Sequence, residues 1–205
     1  MKRMLLLVTV GLMLAAAMAL SGVAQAAPIS DKADAQCAKL AIKTFGPSFN
    51  PSNYTFHGGT VGEDDFTFNG GDGSDVYCGF GSNDQIDTLN EGDIFLGGEG
   101  NDRVAFRNHG TFNGGAGNDR VVFNAGTFNG GDGDDFVSNN EVTGTVNGEV
   151  GTDSVVFNAG TFNGGEGNDR VENNEEGGTF NGGEGCDSVD SGRPPADGPE
   201  GPCTI

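Results

Sequence analysis

The sequence predicts an all-β protein: a parallel β-roll or β-solenoid of 16–18-residue coils, with a short N-terminal capping helix. Three observations predict it. The unit GTFNGGEGNDRV at 160–171 returns with small changes from Gly110, Gly126, Gly144 and Gly178, so the copies are 16 or 18 residues apart. A unit that cannot bury its own apolar face must stack on copies of itself, and so short a period holds two short strands and two tight turns. Finally, 15 phenylalanines at regular spacing support a thin ordered core in a chain whose 38 glycines would otherwise suggest disorder.

In chain order, residues 1–26 read as a secretory signal peptide: basic Lys2 and Arg3, an apolar run from Met4 to Leu20, and Ala24-Gln25-Ala26 for cleavage. The run is near the lower length limit for a membrane span, and Val23 stands where a lipoprotein signal needs cysteine. The mature chain is therefore expected outside the cell, without a membrane span. Residues 27–53 form an N-terminal cap, built on a helix over Asp31–Phe45 with Gly46-Pro47 as its stop. Its expected task is to cover the open end of the solenoid. The roll occupies 54–190, and 191–205 read as a proline-rich C-terminal strap.

The formal charge is −20, and loss of the leader makes it −22. Such a field repels nucleic acid and anionic membrane and gathers cations. In an oxidising compartment Cys37, Cys78, Cys186 and Cys203 allow three pairings; Cys37 with Cys78 and Cys186 with Cys203 would each tie a non-repetitive end to the nearest coils. A zinc site is not expected without a Cys-x-x-Cys pair, and His57 and His109 read as solvated. Enzymatic signatures are missing: there is no His-Glu-x-x-His, no Gly-x-Ser-x-Gly and no phosphate-loop Gly-Lys-Ser/Thr. Acidic residues recurring with every coil behave as a ladder, unlike a single active site. A non-enzymatic protein is expected.

Each coil carries a turn Gly-Gly-x-Gly-x-Asp followed, two residues on, by an aliphatic side chain expected to point inward. Gly97, Gly98, Gly100, Asp102 and Val104 form one copy; Gly164, Gly165, Gly167, Asp169 and Val171 form another. The glycines permit positive φ and bring carbonyl oxygens to the surface of a tight loop. Stacking places Asp84, Asp102, Asp119, Asp135, Asp153, Asp169 and Asp187 in one file, at about 4.8 Å per step. Carboxylates so spaced repel by about 1 kcal/mol in water and about 3–4 kcal/mol at a partly desolvated edge. Calcium, with six to eight flexible oxygen ligands, meets that need better than magnesium. Backbone turn closure by Asp and Asn is the competing explanation.

These turns resemble the calcium-binding repeats of the repeats-in-toxin (hemolysin-type) family, whose motif GGxGxDxUx forms a parallel β-roll with calcium between successive turns. The resemblance covers about 57–190. It implies side-chain ligands at Asp75, Asp102, Asp119, Asp135, Asp169 and Asp187, with carbonyls from Gly98, Gly100, Gly115, Gly117, Gly131, Gly133, Gly165, Gly167, Gly183 and Gly185. Asp84 and Asp153 are included with weaker motifs, GFGSND and GEVGTD. The cleavable leader and the cysteines depart from the family's usual pattern, pointing to general secretion, and no activity domain accompanies the repeats. The expected function is a secreted calcium-binding structural or adhesive module with a cell-surface or matrix partner, folding on the metal.

A second face competes. Before each turn the strand reads Thr-Phe-Asn at 111–113, 127–129, 161–163 and 179–181, with Thr145-Val146-Asn147 as a variant and Thr67–Asn69 as an early copy. Period-two alternation sends phenylalanine inward and threonine and asparagine outward. The two outward files resemble the threonine faces of ice-binding solenoids, which makes ice the alternative partner.

Overall fold

In the computed structural model the described residues are 32–66 and 73–192. The expected signal peptide, the Asp31 helix cap, the Thr67–Asn69 copy, Cys203 and the strap from 193 onward lie outside them. Helix α1 spans Lys32–Phe45, and a 3-10 turn at Pro51–Asn53 leads into the roll.

The roll is two parallel sheets visited alternately. The first contains β1 (Tyr54–Gly58), β3 (Ser74–Gly81), β5 (Ile94–Glu99), β7 (Thr111–Ala116), β9 (Thr127–Asp132), β11 (Thr145–Val150), β13 (Thr161–Glu166) and β15 (Thr179–Glu184), side by side in that order. The second contains β2 (Asp65–Phe66), β4 (Gln85–Leu89), β6 (Arg103–Asn108), β8 (Arg120–Asn124), β10 (Phe136–Asn140), β12 (Ser154–Asn158), β14 (Arg170–Asn174) and β16 (Ser188–Gly192). The parallel β-solenoid expected from the repeat is the architecture found, and its last strand runs to Gly192.

Each regular coil sends four side chains inward. Phenylalanine from the first sheet and valine from the second form the apolar pair: Phe112, Phe128 and Phe162 share their coils with Val121, Val137 and Val171, all buried. The rings of Phe95, Phe112 and Phe128 stack at 5.0 Å, as do those of Phe162 and Phe180; Val146 interrupts the column. The other two inward residues are polar, aspartate at one corner and asparagine at the other. A buried polar group must be hydrogen-bonded, and in so thin a coil the partners come from the neighbouring coils.

The asparagine corner is fully laddered along most of its length. Asn108, Asn124, Asn140 and Asn158 each donate from Nδ2 to Oδ1 of the next asparagine at 2.8–2.9 Å, ending on Asn174. Nδ2 of each also donates to a threonine carbonyl one coil on, as Asn140 does to Thr161 at 3.0 Å. At the start of the ladder the preceding coil has Leu89, and Asn108 Oδ1 is left without a partner.

Helix α1, expected as an N-terminal cap, packs on the edge strand of the first sheet, where Asp34 Oδ1 accepts from the Gly58 N–H at 3.0 Å. It lies on the outer face of the first sheet, where Cys37, Ala38 and Ala41 pack against Phe56, Val76, Cys78, Ile94 and Leu96. The Cys37–Cys78 disulfide, one of the two expected pairs, joins helix to sheet. Val76 and Ile94 are in register with Thr111, and Cys78 and Leu96 with Asn113. The outward positions are therefore apolar where the helix covers them and Thr/Asn where it does not. Cys186 is also disulfide-bonded.

Candidate metal-binding turn file

Pairing brings Asp84, Asp102, Asp119, Asp135, Asp153, Asp169 and Asp187 to one corner in a single file, as expected from sequence. One oxygen of each carboxylate has a structural task. Asp119 Oδ1 accepts from the Asp102 backbone N–H at 2.6 Å, and Asp135 Oδ1 accepts from the Asp119 N–H at 2.7 Å. The same bond recurs from Asp64 through Asp187. In this respect turn closure by aspartate is real.

The other oxygen has no such task. Oδ2 of Asp84, Asp102, Asp119, Asp135, Asp153 and Asp169 is buried without a hydrogen-bond partner. Burial pushes these carboxyls up, to about 6 at Asp84 and Asp169, about 7 at Asp102, Asp135 and Asp153, and about 8 at Asp119. The backbone bond opposes the rise, and neighbouring carboxylates add to it.

The first glycine of each motif exists to make room for that oxygen. A Cβ at Gly114 would overlap Asp119 Oδ2 and stand 2.7 Å from the Gly130 carbonyl oxygen of the next coil. Gly97 has the same relation to Asp102 and Gly114. Two acceptor oxygens, one an unpartnered carboxylate oxygen, thus converge over the first glycines from Gly79 to Gly164. This all-oxygen pair fits a hard cation in kind. Among the described residues no three His, Cys, Asp or Glu side chains form a ready metal cluster, so any cation here would depend on carbonyls and water for its remaining ligands.

The second and third glycines are needed for their backbone. Gly115 and Gly117 have φ of 115° and 128°, and Gly98 and Gly100 press their carbonyl oxygens against them. Those carbonyls, expected as ligands, point along the stack, while the carbonyl nearest each Oδ2 belongs to the first glycine. Where the motif departs from glycine the conformation persists with strain: Phe80, Ser82 and Glu149 have φ of 74°, 77° and 80°. Asp84 and Asp153 accordingly keep the geometry of the regular coils despite their weaker motifs.

Asp75 does not join this file. It starts a strand of the first sheet at the opposite corner, where its N–H donates to Asp93 Oδ1 at 3.0 Å. His57, read as solvated, bonds Asp75 through Nε2 at 3.1 Å and stacks on Tyr77. The nine-residue spacing of Asp75, Asp84, Asp93 and Asp102 alternates corners, so it mixes two files.

Sequence reasoning missed a third ladder in the same turns. The residue before the aspartate lends its side-chain oxygen to the next coil's N–H: Asn83 to Asn101, Asn101 to Asn118, Asn118 to Asp134, and Asn168 to Cys186, at 2.7–3.1 Å. It also missed the buried asparagines, although Asn at the fifth position of every second-sheet strand from β6 to β14 but one was the available signal. The chain matches no family model, no curated protein and no solved structure.

Proposed function

We propose that this is a secreted, non-enzymatic calcium-binding β-roll of the repeats-in-toxin kind, a structural or adhesive module whose turns are completed by the metal. The observation that carries the reading is the file of buried carboxylate oxygens without partners, each beside a carbonyl of the next coil. Leaving an ionisable oxygen buried and unpaired costs more than a typical hydrogen bond returns, so the file needs a proton or a cation at neutral pH. Asp84, Asp102, Asp119, Asp135, Asp153, Asp169 and Asp187 would hold the ions, with first-glycine carbonyls such as those of Gly114 and Gly130 as neutral ligands. Bound calcium would neutralise the file and link adjacent coils.

Calorimetric titration of calcium into chelator-treated protein tests this. Heat with several equivalents of calcium, together with a rise in β-content by circular dichroism, is expected. No heat, and the same melting temperature in calcium and in chelator, would end the reading.

A second reading has its own observation. Thr111, Thr127, Thr145, Thr161 and Thr179 are in continuous register on the outer face of the first sheet. Beside them Asn113, Asn129, Asn147, Asn163 and Asn181 are locked by Nδ2-to-Oδ1 bonds of 2.6–2.8 Å. A flat, rigid polar array suits ordered water. Inhibition of ice recrystallisation, lost in Thr127→Tyr plus Thr161→Tyr, would favour ice binding over a purely structural face.

A further inference from the structure

Between 54 and 192 the chain has four basic residues, all arginines: Arg103, Arg107, Arg120 and Arg170. All are exposed on strands of the second sheet, β6, β8 and β14, where neither calcium nor ice has a use for them. Pairing sets Arg103 directly beside Arg120, a like-charged contact that weakens a sheet. In a chain with 30 acidic residues a structural arginine is expected to find a carboxylate. Arg170 does, holding Glu172 and Asp190, and Arg107 reaches Glu141 at 3.5 Å. Among the described residues no carboxylate pairs with Arg103 or Arg120.

Aromatic rings hold two of the guanidinium groups. Arg120 lies over Phe136 at 4.6 Å and Arg107 over Phe123 at 5.9 Å. A ring engages the charge of a guanidinium and none of its N–H donors as such, so the donors stay available to the paired oxygens of a carboxylate or sulfate. Seating on a ring also restrains the side chain beforehand, and less freedom is lost on binding. Around these groups two rings are open to solvent, Phe106 at 62% and Phe123 at 41%. Arg103 and Arg120 are one strand step apart, about 4.8 Å, and Arg107 lies four residues along β6, about 13 Å from Arg103.

The geometry points to an acidic polysaccharide, with carboxylate or sulfate groups on its sugar rings, as the partner of this face. The arginines supply forks for the anionic groups, and Phe106 and Phe123 supply apolar surface for the C–H faces of the sugars. The patch is narrow. Asp87 borders it on β4 and Glu141 follows β10, so a flat anionic membrane would press acidic groups as well as arginines against its headgroups. Nucleic acid, with a charge about every 1.7 Å of duplex, meets more repulsion from a chain of charge −20 than a polymer charged once per sugar. A single polysaccharide chain laid along β6 and β8 touches the arginines and little else. The net charge is screened beyond about 8 Å at physiological salt, so the contact is decided locally.

Fluorescence anisotropy of end-labelled oligosaccharides titrated with the full chain in millimolar calcium tests the proposal, which does not rest on the calcium reading. The probes are a galacturonate hexamer, a sulfated hexasaccharide and a neutral glucose hexamer. Saturable binding of either acidic probe, weakening as salt rises, is expected, with none of the neutral one; the tighter of the two names the anionic group. Arg103→Gln plus Arg120→Gln should weaken it at least tenfold, with circular dichroism unchanged because both side chains are exposed. Arg170→Gln should leave it within about twofold, because the Arg170 guanidinium already has two carboxylates. No saturable binding of either acidic probe would overturn the proposal. So would affinity retained in the double-arginine variant, which would mean calcium bridging the polymer to the acidic turns, or an equal loss in Arg170→Gln, which would mean charge alone. Tighter binding of single-stranded DNA of equal charge, or of vesicles containing phosphatidylserine, would overturn it too, assigning the face to nucleic acid or membrane.

Discussion

Replacing Asp119 by asparagine separates the two tasks of a turn carboxylate. Asparagine keeps an Oδ1 to accept from the Asp102 N–H and puts an NH₂ where the unpartnered Oδ2 stands, facing the Gly130 carbonyl. In the metal-free protein at neutral pH this removes a group that burial has moved from 3.8 to about 8. Between 3.8 and pH 7 lie about three units, a ceiling of about 4 kcal/mol at 1.36 kcal/mol per unit. Relaxation of the turn and access of water reduce this by about half, leaving ~2 kcal/mol. At 2–4 °C per kcal/mol for a chain of this size, Asp119→Asn should melt about 4–8 °C higher than the parent in chelator. In calcium the order should invert or close, because one charged ligand is gone, and calorimetry should register a smaller stoichiometry or a weaker site. Thermal melts of parent, Asp119→Asn and Asp119→Ala, each in chelator and in millimolar calcium, make the comparison. If Asp119→Asn is destabilised in chelator as much as Asp119→Ala, the second oxygen is not the orphan described here, and the reasoning fails.

The whole file implies a pH dependence of fixed sign. Burial, with neighbouring carboxylates adding to it, raises the folded-state pKa of Asp84, Asp102, Asp119, Asp135, Asp153 and Asp169 to about 6–8. The native chain therefore binds more protons than the unfolded one, and this stabilisation, complete below about pH 4, is lost as pH rises through 6–8. Melts in chelator should rise on going from pH 8 to 5, and calcium should flatten that slope; an opposite slope in chelator contradicts the burial. Glu149→Gly relieves a left-handed backbone and removes a charge that raises Asp135 and Asp153. It should gain about 1 kcal/mol by denaturant unfolding. Asn140→Ala breaks bonds to Asn124, Asn158 and Thr161 inside the coil and should cost about 2–4 kcal/mol in the same assay. A loss under 0.5 kcal/mol would mean the ladder is ornamental.

The repeat made the coil length, the inward phenylalanine and valine, and the stacking of most turn aspartates legible, because each depends only on period and alternation. Asp75 was implied as a ligand because GGDGSD at 70–75 copies the turn motif along the chain, while in space its aspartate falls at the opposite corner, beside Asp93. His57 looked solvated because its partner Asp75 lies one coil away. The buried asparagines were hidden for the same reason: asparagine usually belongs to turns, and only a neighbour in the next coil can satisfy it inside one. The helix was visible but its seat was not, although the change from Ile94-Phe95-Leu96 to Thr111-Phe112-Asn113 marks where its cover ends.

By itself, then, the sequence determined that this chain winds into a parallel roll with a narrow core and acidic turns, since a short period and strand alternation leave few other ways to bury phenylalanine. Only the tertiary structure decided which half of each carboxylate is bonded and which is left bare, and which sheet face the helix covers. Those outcomes arise between coils, from atoms brought together across 16–18 residues of chain, and local sequence does not specify them until the coils are stacked.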